Sequence, residues 1–185
     1  MTKLPRTIRL DPSDTVVFPR AAEPGEWAVP GTFLFAGRPV SALDRKTQIA
    51  FRSGFLGLSG WGFSTLVTVA EARAEERRAA VDLLALQLVV HLGAPDEATA
   101  RPAAEEEIAL AEDLCRPHPP GMLMALHRAE DAGGIVERFR TLRPRDQTAY
   151  SADYLRGHGR AFEFFETDED ETGAIDLRNI AGGQG

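Results

Sequence analysis

The side chains able to do chemistry in this chain are few, and most stand in small groups. Cys115 and His118 are close enough for a thiolate–imidazole pair, which would serve as a nucleophile or as two ligands of a metal. Cys115, however, falls on the apolar stripe of a predicted helix, where a lone cysteine behaves as a small hydrophobe, and no C-x-x-C or second metal pair accompanies it. Gly57-Leu58-Ser59-Gly60-Trp61 nearly spells the nucleophile elbow G-x-S-x-G, with Trp61 in place of the last glycine. An elbow needs a strand, a sharp turn and then a helix, and here a strand follows the turn. Gly57, Gly60 and Gly62 read G-x-x-G-x-G, the reverse of the dinucleotide-binding spacing, and lack a helix N-terminus to meet a phosphate. They read as turn glycines. The histidines at 91, 118, 127 and 158 form no H-E-x-x-H or comparable pair. Gly157-His158-Gly159 between Arg156 and Arg160 suits an anion-binding loop, although a flexible surface loop is the commoner outcome.

Two groupings remain. Around the turn from Ser59 to Ser64, the side chains of Arg52, Trp61 and Ser64 offer a charge, an aromatic wall and a hydrogen bond, the set a small-molecule site needs. Near the C-terminus, Asp168, Asp170, Thr172 and Asp176 stand at the spacing at which an EF-hand loop presents oxygen ligands to calcium, with Gly173 between them. The twelfth position is Asn179 rather than the bidentate Glu that completes the coordination. No exiting helix follows and no second loop is present, so a weak single calcium site is the most this pattern supports.

The elements that would position these groups are read from periodicity. The first 40 residues predict short strands at Thr7–Leu10, Thr15–Phe18, Glu26–Val29 and Thr32–Phe35, separated by Pro- and Gly-rich turns. Ser41 with Asp44 suggests a helical turn. Alternation from Thr47 to Phe55 then predicts a strand. A glycine-rich turn joins it to a second strand over 63–70. A helix from about residue 71 or 74 carries Val81, Leu84, Ala85, Leu88 and Leu92 on one face and ends at Gly93. Its last turns are apolar nearly all round. That predicts burial on two sides, against the sheet and against a further helix or a partner. A second helix is predicted over Arg101–Arg116, with Glu105 to Glu107 facing solvent. A hairpin of Met122–Arg128 and Ile135–Leu142 follows. The expected fold is α+β: a mostly antiparallel sheet built from N-terminal strands, a central hairpin and a C-terminal hairpin, packed on two consecutive helices. Residues 1–166 form one domain and 167–185 an acidic, glycine-rich tail.

Charge and composition narrow the partners. The net charge of −7 disfavours nucleic acid and an anionic membrane surface. Among the basic residues only Lys3 and Lys46 are lysine, and the arginines are scattered rather than clustered. A single cysteine rules out an internal disulfide. The N-terminus has no apolar signal core, and the apolar run at 83–92 falls short of the ~20 residues of a membrane span. The expectation is a cytoplasmic protein without a cofactor.

The block FRSGFLGLSGWGFSTLVTVAEA, followed by the helix AAVDLLALQLVVHLGAP, resembles an uncharacterised bacterial family of unknown function over residues 6–143. The resemblance implies no activity. The residues favour a non-catalytic accessory or interaction domain that meets a partner protein or a second copy through the first helix. The alternatives are a small-molecule binder or enzyme centred on Arg52, Trp61 and Ser64, and the tail calcium site.

Overall fold

The computed structural model describes residues 1–143 and the backbone of a short strand at 165–166. Two consecutive helices, α3 (Ala74–Leu92) and α4 (Glu97–Cys115), pack on the strands, as the 3.6-residue spacing predicts. The fold is α+β. Its larger sheet runs in the order β1 (Thr2–Ile8), β5 (Leu66–Ala72), β6 (Leu123–Asp131), β7 (Gly134–Arg143), β8 (Phe165–Glu166), and every neighbour is antiparallel. A second, three-stranded sheet joins β2 (Ala28–Val29), β3 (Phe55–Gly57) and β4 (Phe63–Ser64). No helix among the described residues is long and apolar enough to cross a membrane. The tail from 167, with Asp168, Asp170, Thr172 and Asp176, lies outside the described residues, as does His158.

Several N-terminal expectations are corrected. The first strand begins at Thr2 and pairs along its whole length with β5. Thr15–Phe18 is not a strand: α1 (Asp14–Val17) is one helical turn. The Asp14 carboxylate accepts hydrogen bonds from the N–H and hydroxyl of Thr65, and that anchor overrides the local β-propensity. Thr32–Phe35 is a 3-10 turn, begun by Gly31 at φ 76°. A turn with three residues per revolution places Thr32 and Phe35 on one side, and both are buried.

The alternating stretch from Thr47 is also helical, as α2 (Arg45–Ser53). Asp44, not Ser41, is the cap, accepting from the Thr47 N–H at 3.1 Å and the Thr47 hydroxyl at 2.5 Å. A side chain that satisfies an otherwise unpaired helix N–H stabilises the first turn by about 1 kcal/mol, enough to decide an ambiguous pattern. The expected strand at 63–70 splits at Thr65, and its halves join different sheets. The second helix begins at Glu97, capped by Asp96, so Pro102 sits inside it rather than at its first position.

The glycines of the β3–β4 turn have packing reasons. A Cβ on Gly57 would lie 2.7 Å from Glu26 Oε2, and one on Gly62 would lie 2.5 Å from the Ala21 backbone. The buried Glu26 carboxylate occupies the space that Gly57 leaves. It accepts N–H groups from Glu23, Ser59 and Gly60, which locks the turn.

Candidate functional site

On the C-terminal hairpin, period-two alternation turns Met124, Leu126 and Arg128 inward from β6, and Glu137, Phe139 and Thr141 inward from β7. Arg128 and Glu137 stand directly opposite in the ladder. They form an ion pair at 2.9 Å with side chains only 0% and 1% exposed. A charge this deep must have its donors used. Arg128 Nε donates to Glu137 and to Thr32 Oγ1, Nη1 to the carbonyls of Phe51, Gly54 and Ala50, and Nη2 to that of Pro30. The Thr32 hydroxyl in turn donates to Glu137. One guanidinium thus ties the hairpin to the C-terminal end of α2 and to the loop before the 3-10 turn. Burial lowers the Arg128 pKa, and the Glu137 charge opposes that shift.

Above this hub lies a cleft of about 1100 Å³. Leu84, Leu88 and Leu92, each one helical turn after the last, form its α3 wall. On α4, Ala103, Glu106, Glu107 and Leu110 form a second wall. Phe33, Phe35 and the loop through Arg38 and Pro39 close a third side, and Glu130, Ile135 and Glu137 of the hairpin close the fourth. The surface is mostly apolar, with carboxylates at its base and rim. Glu107 corrects the expectation that Glu105 to Glu107 all face solvent: it is half-buried, and its Oε1 accepts the Gly31 N–H at 3.2 Å. Burial, reinforced by the Glu137 charge, raises its pKa to about 7, against the Gly31 hydrogen bond and the Arg128 charge.

The residues singled out from the sequence are placed elsewhere. Arg52 is exposed on α2. Trp61, at φ 55° in the β3–β4 turn, stacks on His91 at 4.8 Å and tilts against Phe33 at 6.2 Å. Ser64 is buried, and its hydroxyl lies within hydrogen-bond range of the carbonyls of Ile8 and Leu66. None of the three lines the cleft. Cys115 is buried, and desolvation pushes its thiol up to about 12, so no thiolate forms at neutral pH. His118 follows it through a backbone turn in which the His118 N–H donates to the Cys115 carbonyl. Among the described residues no cluster of three or more His, Cys, Asp or Glu is placed to hold a metal ion.

Arg128, Glu137 and Glu107 escape a motif search because they are spread over 31 positions and two element types. A signal existed all the same. Extending the inward alternation of β6 by one step brings Arg128 into the core, and a buried arginine requires a buried acid.

Comparison with curated proteins and with solved structures gave no match. A model for a family of unknown function, DUF6505, matches residues 1–156, the segment that holds the hub and the cleft, and the chain belongs to that family.

Proposed function

We propose that this protein is a non-catalytic binding domain whose site is the cleft between α3, α4 and the β6–β7 hairpin. The observation that carries the reading is a large, apolar-walled cleft set on a hub whose buried charges are already satisfied. Clefts with mostly apolar linings and a few placed polar groups are the usual form of a small-ligand site. A rigid base lowers the ordering cost of binding. Binding rather than covalent chemistry is supported by the nucleophile candidates: the Cys115 thiol stays protonated, and the Ser64 hydroxyl is turned to main-chain carbonyls.

Nile red, a neutral dye that brightens in apolar surroundings, tests the site. Saturable fluorescence is expected with the full chain, and Leu110→Arg should abolish it while far-UV circular dichroism is unchanged. Leu86→Arg, on the outer face of α3, should leave it intact. Loss of the signal in Leu86→Arg but not in Leu110→Arg would remove the cleft from consideration.

A second reading follows from the exposed residues Leu86 and Val90 on the outer face of α3, which are 43% and 63% accessible. Apolar side chains grouped on one helix suit a two-fold contact with a second copy. Light scattering behind a sizing column tests it. A dimer that Val90→Lys converts to monomer supports this use of α3, and a monomeric wild-type protein removes it.

A further inference from the structure

We infer that the ligand of the cleft is a small organic cation with an apolar body, and that the Glu107 carboxylate is its counter-ion. The inference rests on the reading of the cleft as a binding site and specifies what that site selects.

The argument is a charge inventory of the cleft wall by wall. From α4 come Glu106 at the rim and Glu107 deeper in. From the hairpin come Glu130, exposed at the rim, and Glu137, buried at the base. The loop after the 3-10 turn adds Arg38, exposed at the rim. The α3 wall, with Leu84, Leu88 and Leu92, adds no charge. Glu137 is neutralised by Arg128, and each guanidinium nitrogen donates to Glu137, Thr32 or one of four main-chain carbonyls. None of these guanidinium hydrogen bonds goes to Glu107. Among the described residues that carboxyl receives one N–H, from Gly31, although a carboxylate can accept up to about four hydrogen bonds.

A half-buried carboxylate in an apolar wall, with no basic side chain among the described residues bonded to it, is complementary to an ammonium group on an apolar body. An anionic amphiphile of the same shape would meet three acids, Glu106, Glu107 and Glu130, against one rim cation, Arg38. The raised pKa of Glu107, about 7, fits a carboxyl that gives up its proton when a cation arrives. On binding near neutral pH, the ammonium remains protonated and the Glu107 proton leaves to solvent.

Three probes of one chain length separate the terms: octylammonium, octanol and octanoate, each titrated into the full chain by calorimetry at about pH 8 and about pH 6, on either side of the Glu107 pKa. The expected order of affinity is octylammonium, octanol, octanoate. At the higher pH octylammonium should bind about tenfold or more tighter than octanol, the usual strength of a hydrogen bond to a charged group. That margin should narrow at the lower pH, where Glu107 is protonated. Glu107→Gln should erase the preference for octylammonium while keeping octanol binding. Glu106→Gln, at the rim, should change the preference by no more than about twofold. Binding of none of the three probes would overturn the cleft as a site. Equal binding of octanol and octylammonium, or a preference that survives Glu107→Gln, would overturn the counter-ion while leaving the cleft.

Discussion

Replacing Arg128 by methionine asks whether the hub holds the fold together. The substitution keeps an unbranched side chain of similar reach and removes every donor. It leaves the Glu137 carboxylate, 1% exposed, without its cation, and the carbonyls of Pro30, Phe51 and Gly54 without the guanidinium. Removing one member of a buried ion pair costs about 3–5 kcal/mol. Each carbonyl stranded without water adds about 1 kcal/mol or more. The expected loss is therefore about 5 kcal/mol or more, comparable to the whole stability of a weakly stable domain. The measurement is urea unfolding followed by circular dichroism, with wild type and variants at one pH. Removing the orphaned charge as well, in Arg128→Met with Glu137→Leu, should recover about 2–3 kcal/mol of that loss, because an apolar pair is tolerated where a lone buried charge is not. The double variant is then more stable than the single, a sign opposite to additivity. Two results would refute the reasoning: an Arg128→Met protein within about 1 kcal/mol of wild type, or a double variant less stable than Arg128→Met.

Three further predictions concern single groups. Burial holds the Glu107 pKa near 7, above its unfolded value, so its contribution to stability is fully present below about pH 4.5 and is lost as the pH rises through about 7. Glu107→Gln should therefore stabilise the protein by about 2–3 kcal/mol at about pH 8 and change little at about pH 5, and equal effects at both would contradict the assignment. Cys115, with its thiol raised to about 12, should not react with a disulfide reagent at about pH 8 while the chain is folded, and should react fully in guanidinium. Fast reaction of the native protein would show that α4 does not bury it. Gly62→Ala drives a Cβ to 2.5 Å from the Ala21 carbonyl and should cost about 2–3 kcal/mol by thermal melting. Gly25→Ala has open space around the new Cβ and only its φ of 89° to bear, so it should cost no more than about 1–2 kcal/mol.

Parts of this fold are legible in sequence, and parts are not, for reasons that differ by residue. The helix ending at Gly93 is readable because Val81, Leu84, Ala85 and Leu88 repeat at one period over about two turns, and the cap glycine adopts φ 72° as such a stop requires. The C-terminal hairpin is readable from its alternation and its glycine turn. Thr15–Phe18 and Thr47–Phe51 mislead because each is short and carries β-branched and aromatic residues, while a side-chain hydrogen bond decides otherwise. In one, Asp14 binds Thr65, 51 positions away. In the other, Asp44 caps a helix that the alternation conceals. Local propensity of a few tenths of a kcal/mol per residue loses to contacts of that size.

The cleft is a harder case, because its identity is a relation between elements rather than a property of any one. Glu107 looks like its neighbours Glu105 and Glu106 in sequence. What separates it is the turn of α4 that brings it beside Gly31, 76 positions earlier, and beside a hairpin whose Arg128 guanidinium is bonded to Glu137. The groups that look most chemical in the sequence, Ser59, Ser64 and Cys115, are instead drawn into the framework. The Ser59 N–H helps hold Glu26, the Ser64 hydroxyl faces carbonyls, and Cys115 packs in a helix. A satisfied polar group costs little to bury, so reactive residue types settle in structural positions readily. The informative group is the one that the protein partly buries without filling its hydrogen-bonding capacity, and along the α4 wall of the cleft that group is Glu107.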